Sequence, residues 1–312
     1  MADFTHVPVM LKECIEALNV KNGGIYFDGT LGGGGHSFEI LKNSAPNGML
    51  IATDLDDYAI SRASERLKEF EGRFTIVKSN FKNFLEIKEN LGIDKFDGIL
   101  LDLGVSSFQL DDRDRGFSYL DSNVNLDMRM SKDNPLTAEV VVNEYKEEEL
   151  KRIFLEYGEE KFSGLIAKNI VKARQNKRIS TVGDLNEIIF NSIPKKFQHN
   201  GHPSKRIFQA LRIEVNGELE GLYNVLLDMG LALKSGGRIA VISFHSLEDR
   251  IVKKAFKELE CDCICDKSLP ICVCGRSKKV DIITKLPITA SEVELKINSR
   301  SASAKLRIAQ RV

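Results

Sequence analysis

Asp28-Gly29-Thr30-Leu31-Gly32-Gly33-Gly34-Gly35-His36 is the stretch on which the reading of the fold turns. It follows a short apolar run, Ile25-Tyr26-Phe27, and leads into a helix-like segment. Four consecutive glycines let the backbone pass very close to a ligand. The helix N-terminus beyond them offers N–H groups without intrahelical partners. Asp54 closes the next apolar run, Met49 to Thr53, 20 residues after Gly34. A carboxylate there is placed to accept hydrogen bonds from two ribose hydroxyls. The same bend could also serve only to pack a strand against a helix.

The spacing G-x-G-x-x-G does not occur, since the sixth position counted from Gly32 is Ser37, and no Gly-Lys-Ser/Thr follows the loop. Dinucleotide and P-loop fingerprints are therefore excluded. A nucleoside without a pyrophosphate fits better, and S-adenosylmethionine is the common one.

Outward from the loop, apolar runs alternate with polar-faced helical stretches such as 58–70. Further runs are Phe74-Thr75-Ile76-Val77 and Ile99-Leu100-Leu101, the latter ending in Asp102. This alternation predicts parallel strands with crossover helices, and puts Asp102 on the same crevice as the glycine loop. As a plain turn residue, Asp102 would need no such role.

The pattern changes after Gln109. Residues 109–130 are polar and read as a long loop. Helical stripes follow at Leu150, Ile153, Phe154, Tyr157, then at Phe162, Leu165, Ile166, Ile170, and at Leu185, Ile188, Ile189, the last capped by Thr181 and Asp184. A longer helix is expected to carry Ile207, Leu211, Val215, Leu222 and Leu226 on one face. Strand character returns at Arg238–Phe244, after the turn Ser235-Gly236-Gly237. Ser246 with Asp249 is expected to cap the next helix, and Ala304–Ala309 reads as a strand. The chain thus reads as an α/β domain, 1–109 and 216–312, interrupted by a helical insert, 110–215.

Lysine plus arginine and aspartate plus glutamate both number 45, so the 312-residue chain has no net charge. Its charge is nonetheless segregated. Lys161–Arg212 holds 11 basic against 2 acidic residues, and Glu139–Glu160 holds 3 against 8. Only the first of these stretches suits phosphates, although a solvated surface would carry the same charges. No apolar run reaches the roughly 18–20 residues that span a bilayer. The start, Met1-Ala2-Asp3-Phe4-Thr5-His6, does not read as a signal peptide, so the cytoplasm is the expected compartment. Five of the six cysteines fall between Cys261 and Cys274. In a reducing compartment disulfides are not expected there. Cys261, Cys263, Cys272 and Cys274 are then either candidate ligands of a structural zinc or surface thiols. The sequence leaves the oligomeric state open, a homodimer included.

Several blocks together resemble the MraW family of bacterial ribosomal RNA small-subunit methyltransferases. They are His6-Val7-Pro8-Val9-Met10, the Asp28–Ser37 loop, and Leu101-Asp102-Leu103-Gly104-Val105-Ser106-Ser107. Gln109-Leu110-Asp111, Arg115-Gly116-Phe117-Ser118 and Leu126-Asp127-Met128-Arg129-Met130 follow. Phe208–Ile213 with Val215-Asn216, and Ser243–Arg250, complete the series in order. The resemblance implies a class I methyltransferase, with a Rossmann-like, mostly parallel doubly wound sheet and an inserted all-helical domain. It implies N4-methylation of a cytidine in the decoding region of 16S ribosomal RNA, with that RNA or the small subunit as partner. The cofactor contacts implied are Gly34, Gly35, His36, Asp54, Phe81, Asp102 and Gln109. Where many amino-methyltransferases have an Asn/Asp/Ser-Pro-Pro-aromatic turn, this chain has Asp102-Leu103-Gly104-Val105, and no two of its prolines are adjacent.

A cytosine amine is a weak nucleophile because its lone pair is delocalised into the ring. Asp102, or a backbone carbonyl near Leu103, would favour a pyramidal nitrogen. His245, after the Arg238–Phe244 strand, is a candidate for substrate contact or proton acceptance, or a structural histidine. Ser106, Arg115, Phe117, Lys205 and Arg206 are candidate RNA contacts, with Arg115 and Phe117 either clamping a phosphate and stacking a base or anchoring their own loop. Two other functions stay open at this point: an amino-methyltransferase with another acceptor, and a non-catalytic RNA-binding assembly factor.

Overall fold

The computed structural model describes residues 8–312 except 107, 108, 110, 111, 199–201 and 267–272, and leaves aside the side chain of Arg113. The chain forms two compact units, one of 1–104 with 219–312 and one of 105–218.

The first unit is built on a sheet in the order β3-β2-β1-β4-β5-β8-β6, with β7 paired to β8. The strands are β1 Ile25–Asp28, β2 Met49–Asp54, β3 Phe74–Lys78, β4 Phe96–Asp102, β5 Leu233–Ser243, β6 Val280–Ile282, β7 Ile288–Thr289 and β8 Lys305–Arg311. The pairs joining β3, β2, β1, β4 and β5 are parallel, whereas β8 runs antiparallel to β5. The order reverses between β1 and β4, which makes that junction the switch point where open α/β sheets bind ligands. Successive side chains point to opposite faces, and both faces are buried. Tyr26 and Leu100 enter one core with Ile40 and Leu67, while Phe27, Ile99 and Leu101 enter the other with Phe84 and Val252. Burial on both sides explains why these strands read as continuous apolar runs. The expected Ser235-Gly236-Gly237 turn lies inside β5, where the pairing with β4 shifts register between Phe96 and Gly98.

The second unit is helical: Ala138–Glu144, Glu147–Glu156, Ser163–Arg174, Val182–Ser192 and Lys205–Asn216 surround their own core of Val141, Phe154, Ile170, Leu185 and Leu211. The Thr181/Asp184 cap is present as a reciprocal capping box. Leu165 departs from its expected stripe and is exposed, with Ile166 and Ile170 carrying the burial instead.

The long helix expected through Leu226 is two helices. Lys205–Asn216 ends at Gly217, whose φ of 56° is left-handed, and Leu222–Leu231 begins after Gly221 at φ 69°. Both values favour glycine and stop a helix. Leu211 and Val215 belong to the core of the second unit, Leu222 and Leu226 to that of the first.

The Ser246–Glu260 helix corrects another expectation. Its cap is His245 with Glu248, not Ser246 with Asp249. Asp249 instead receives Arg307 Nε at 2.6 Å and Nη2 at 3.1 Å, a bidentate pair that holds its carboxyl below the ordinary range. None of the described helices is long and apolar enough to cross a membrane.

Candidate functional site

The glycine loop is stitched to the strands on both sides of the switch point. Gly29 N–H donates to Leu100 O at 3.0 Å, and Leu31 N–H to Thr53 O at 3.0 Å. Thr53 Oγ1 donates to Gly29 O, and Asp102 N–H to Thr30 Oγ1 at 2.6 Å. Asp28, to which the sequence reading gave no role, holds the loop from below. Its carboxylate accepts from Thr30 N–H at 3.1 Å and from Ser37 Oγ at 2.7 Å. Burial pushes its pKa up to about 6 against those hydrogen bonds. The only sequence signal for this role was an aspartate closing a strand directly before a glycine.

The glycines have different duties. Gly34 sits at φ 74°, and a Cβ there would approach Ala63 Cβ to 3.0 Å. At Gly35 a Cβ would collide with Pro8 Cγ, so the residue admits the N-terminal segment against the helix start. His36 belongs to the same contact, its Nε2 lying 3.0 Å from Val9 O. A Cβ at Gly33 would meet nothing within 4 Å, and one at Gly32 only Thr30 O at 4.0 Å. The open part of the cradle is thus Gly32-Gly33, while Gly34, Gly35 and His36 fit the loop to its neighbours. Phe81 packs at the loop's beginning, where a Cβ on Gly29 would come within 2.9 Å of Phe81 Cβ.

Asp54 ends β2 and faces the loop. Its Oδ2 accepts Gly32 N–H at 2.8 Å and its Oδ1 accepts Asp56 N–H at 2.9 Å. Burial raises its pKa against these bonds. Asp102 ends β4. Its Oδ1 is enclosed and has no hydrogen-bond partner among the described residues. Burial first, then the nearby charges of Asp28 and Glu248, push its pKa up to about 8. An enclosed carboxyl oxygen without a donor is costly, and a perturbed carboxyl in a cleft is a functional-site candidate.

His245 ends the same row of strand termini. Its Nδ1 accepts Glu248 N–H at 3.4 Å, while Glu248 Oε2 accepts Phe244 N–H at 2.8 Å. With Nδ1 accepting, a neutral His245 carries its proton on Nε2. Nε2 is 3.2 Å from Glu248 Oε1, within ion-pair distance but not aligned as a hydrogen bond. The imidazole therefore serves the helix start, and Nδ1 is not open to a substrate.

The second unit holds the other candidates. Ser106 and Gln109 bind each other: Gln109 Oε1 accepts Ser106 N–H at 3.0 Å, and Ser106 Oγ accepts Gln109 N–H at 3.2 Å. Arg115 Nη2 donates to Arg129 O and Met130 O at 2.8 and 2.7 Å. Asn216 fastens the same loop, its Oδ1 accepting Met130 N–H and its Nδ2 donating to Met128 O. Phe117 is 8 % exposed in the helical core. Arg115 and Phe117 are thus anchors of their own loop, and the stacking surface expected of Phe117 is not presented. Phe117→Ala should lower stability by about 3–5 kcal/mol, as deletions of buried aromatics do, measured by denaturant unfolding.

Charges separated along the chain recombine in space. Arg178 pairs with Glu139 at 2.6 Å, Arg206 with Glu160 at 3.7 Å, and Lys177 with Asp184 at 2.8 Å. Lys195, Lys196 and Lys205 are exposed, with Lys196 Nζ 5.1 Å from the centre of the exposed Phe197 ring. Of the cysteines, Cys272 lies outside the described residues, and Cys261 Sγ points to Cys263 O. The thiols brought together are Cys263, Cys265 and Cys274. His6, Val7, Ser107, Leu110 and Asp111, from the blocks quoted above, also lie outside the described residues.

The chain matches the MraW methylase family over residues 3–312. It is 54 % identical over 310 residues to the ribosomal RNA small subunit methyltransferase H of Clostridium botulinum (strain Loch Maree), covering 99 % of this chain and 100 % of that one. A protein of the same name from Clostridioides difficile is 52 % identical over 311 residues, with 99 % and 100 % covered. Among solved structures, a SAM-dependent O-methyltransferase from Thermotoga maritima covers 99 % of this chain and 68 % of its own. Its TM-score is 0.40 at 11 % identity, too slight a likeness to bear on function.

Proposed function

The chain belongs to the MraW methylase family, and from that premise we propose that it methylates the N4 amine of a cytidine in the decoding region of 16S ribosomal RNA, using S-adenosylmethionine. The observation that carries the proposal is Asp102 Oδ1, enclosed and without a hydrogen-bond partner among the described residues, at the switch point beside an open glycine bend. The donor set fits a nucleoside cofactor. Gly32 and Gly33 leave room along the backbone, Asp54 offers a carboxylate to ribose hydroxyls, and Phe81 offers an apolar ring at the third strand's end. When bound, the cofactor supplies an activated methyl carbon on a sulfonium.

The protein's own part is alignment and proton handling. Asp102 Oδ1 accepts a hydrogen bond from the amine, which draws the nitrogen lone pair out of conjugation. Methyl transfer to that nitrogen would leave the amine cationic, with a proton to give up to a nearby base. Asp102 can take that proton through the ionised fraction that a pKa of about 8 leaves. Holding the two reactants in line can supply about 7–11 kcal/mol of the barrier reduction without a stronger base. Gln109 and Ser106 are assigned here to positioning the segment that follows Asp102, and His245 to fixing the end of β5. Lys195, Lys196, Lys205 and Arg206 are assigned to RNA phosphates, where each neutralised phosphate releases counterions and makes binding salt-dependent.

Mass mapping of 16S RNA from cells with and without the gene tests the reading. The expected result is loss of one methyl from a single decoding-region cytidine, restored by the wild-type chain. An unchanged methylation pattern, or equal transfer to DNA and to naked RNA in vitro, would overturn it.

A further inference from the structure

Between the Ser246–Glu260 helix and β6, residues 261–279 run without regular secondary structure wherever they are described. A connection of this length in a compact unit calls for its own means of order. Its ends are fixed, by Lys279 N–H on Leu259 O at 2.8 Å and by the Arg276–Glu258 ion pair. Its middle gathers three sulfurs. The Sγ atoms of Cys263, Cys265 and Cys274 all lie within 4.8 Å of one another, with Cys263 and Cys274 at 3.8 Å. Two backbone donors point at them: Cys265 N–H to Cys263 Sγ and Val273 N–H to Cys265 Sγ, both at 3.3 Å.

We propose that Cys263, Cys265 and Cys274 form a binding site for a thiophilic divalent cation of the zinc class, which cross-links this loop. Zinc bonds to thiolate are about 2.3 Å, so two sulfurs on a tetrahedral ion lie about 3.8 Å apart. That is the Cys263–Cys274 separation, and it is nearly twice the ~2.0 Å of a disulfide. Binding converts each thiol to thiolate with release of one proton and moves no electron. The ion keeps a fourth position for a ligand beyond this trio. Its gain is loop closure across 11 residues of chain beside β6, the last strand in the sheet order. The set differs from the sequence-based one in the part played by Cys265.

The full-length protein, purified without chelator, should contain about one zinc per chain by elemental mass spectrometry. Cobalt added to zinc-free protein should give a thiolate charge-transfer band. Cys265→Ser and Cys274→Ser should each cut metal content at least ~10-fold while keeping S-adenosylmethionine binding, so this outcome is separate from that of the methyl-transfer reading. Cys261→Ser should retain the metal. Absence of zinc together with absence of the cobalt band, undiminished metal in Cys265→Ser, or a Cys263–Cys274 disulfide found in protein kept reduced, would overturn the assignment.

Discussion

Asp54→Ala should weaken S-adenosylmethionine binding about 100-fold, read by titration calorimetry. Hydrogen bonds to a charged group contribute about 1.5–3 kcal/mol each. Two ribose hydroxyls lost from one carboxylate amount to roughly 3 kcal/mol, or two orders of magnitude in Kd. The substitution has a second effect, because Gly32 N–H and Asp56 N–H lose their acceptor and the bend loosens where it is meant to be open. Asp54→Asn separates the two contributions. An amide keeps one oxygen acceptor, so it should restore part of the loop's order but not the charge. Wild-type affinity in the alanine variant would remove Asp54 from the ribose and leave it a loop-fastening residue.

Asp102→Ala should lower kcat by about 100- to 1000-fold with little change in cofactor affinity, the loss typical of removing one preorganised polar group at a reacting centre. Asp102→Asn keeps a hydrogen-bond acceptor but cannot take a proton. If alignment is the main contribution, the asparagine variant should recover much of the rate. If proton acceptance limits turnover, it should stay as slow as alanine. Equal kcat in all three would sink the assignment.

The same carboxyl predicts a stability profile for the ligand-free protein. Asp102 is raised to about 8 and Asp28 to about 6, in both cases chiefly by burial. A folded pKa above the unfolded value means that the folded state holds the proton more tightly. The stabilisation is therefore complete below about pH 4 and is lost as pH rises through the folded values. Thermal unfolding should show Tm falling between about pH 4 and pH 8. Asp102→Asn should flatten the upper half of that slope and be more stable than wild type above pH 8 by about 2 kcal/mol, a figure reduced for the part of Asp102 that stays open to solvent. A wild-type curve flat from pH 6 to 8 would contradict the raised pKa.

Much of the fold was legible because strands buried on two faces cannot hide their apolar runs. The acids that end them, Asp28, Asp54 and Asp102, stand where a chain leaves a parallel sheet. The helical stripes were legible for the same reason, and so was the Thr181/Asp184 cap, whose partners are three residues apart. Individual roles were harder to read. Gly35 and His36 belong to a loop that could receive a ligand, yet a Cβ at Gly35 would meet Pro8 and His36 Nε2 lies 3.0 Å from Val9 O, each 27 residues back along the chain. Arg115 and Phe117 look like an RNA clamp in a polar loop, but the carbonyls of Arg129 and Met130 take the guanidinium and the helical core takes the ring.

Residue order alone was enough to place the alternation of strands and helices, the glycine bend with its acid partners, and the family membership that its ordered blocks announce. These depend on local period and local spacing, which short-range chemistry settles. Chain packing was needed to show that Asp28 holds the loop, that Asp102 Oδ1 has no donor among the described residues, that Cys265 joins Cys263 and Cys274, and that Glu139 and Glu160 come within ion-pair distance of the exposed Arg178 and Arg206. Each of those depends on which distant groups arrive beside one another and how much water they exclude. Burial and pairing are properties of neighbours in space, and a one-dimensional order of residues does not contain them.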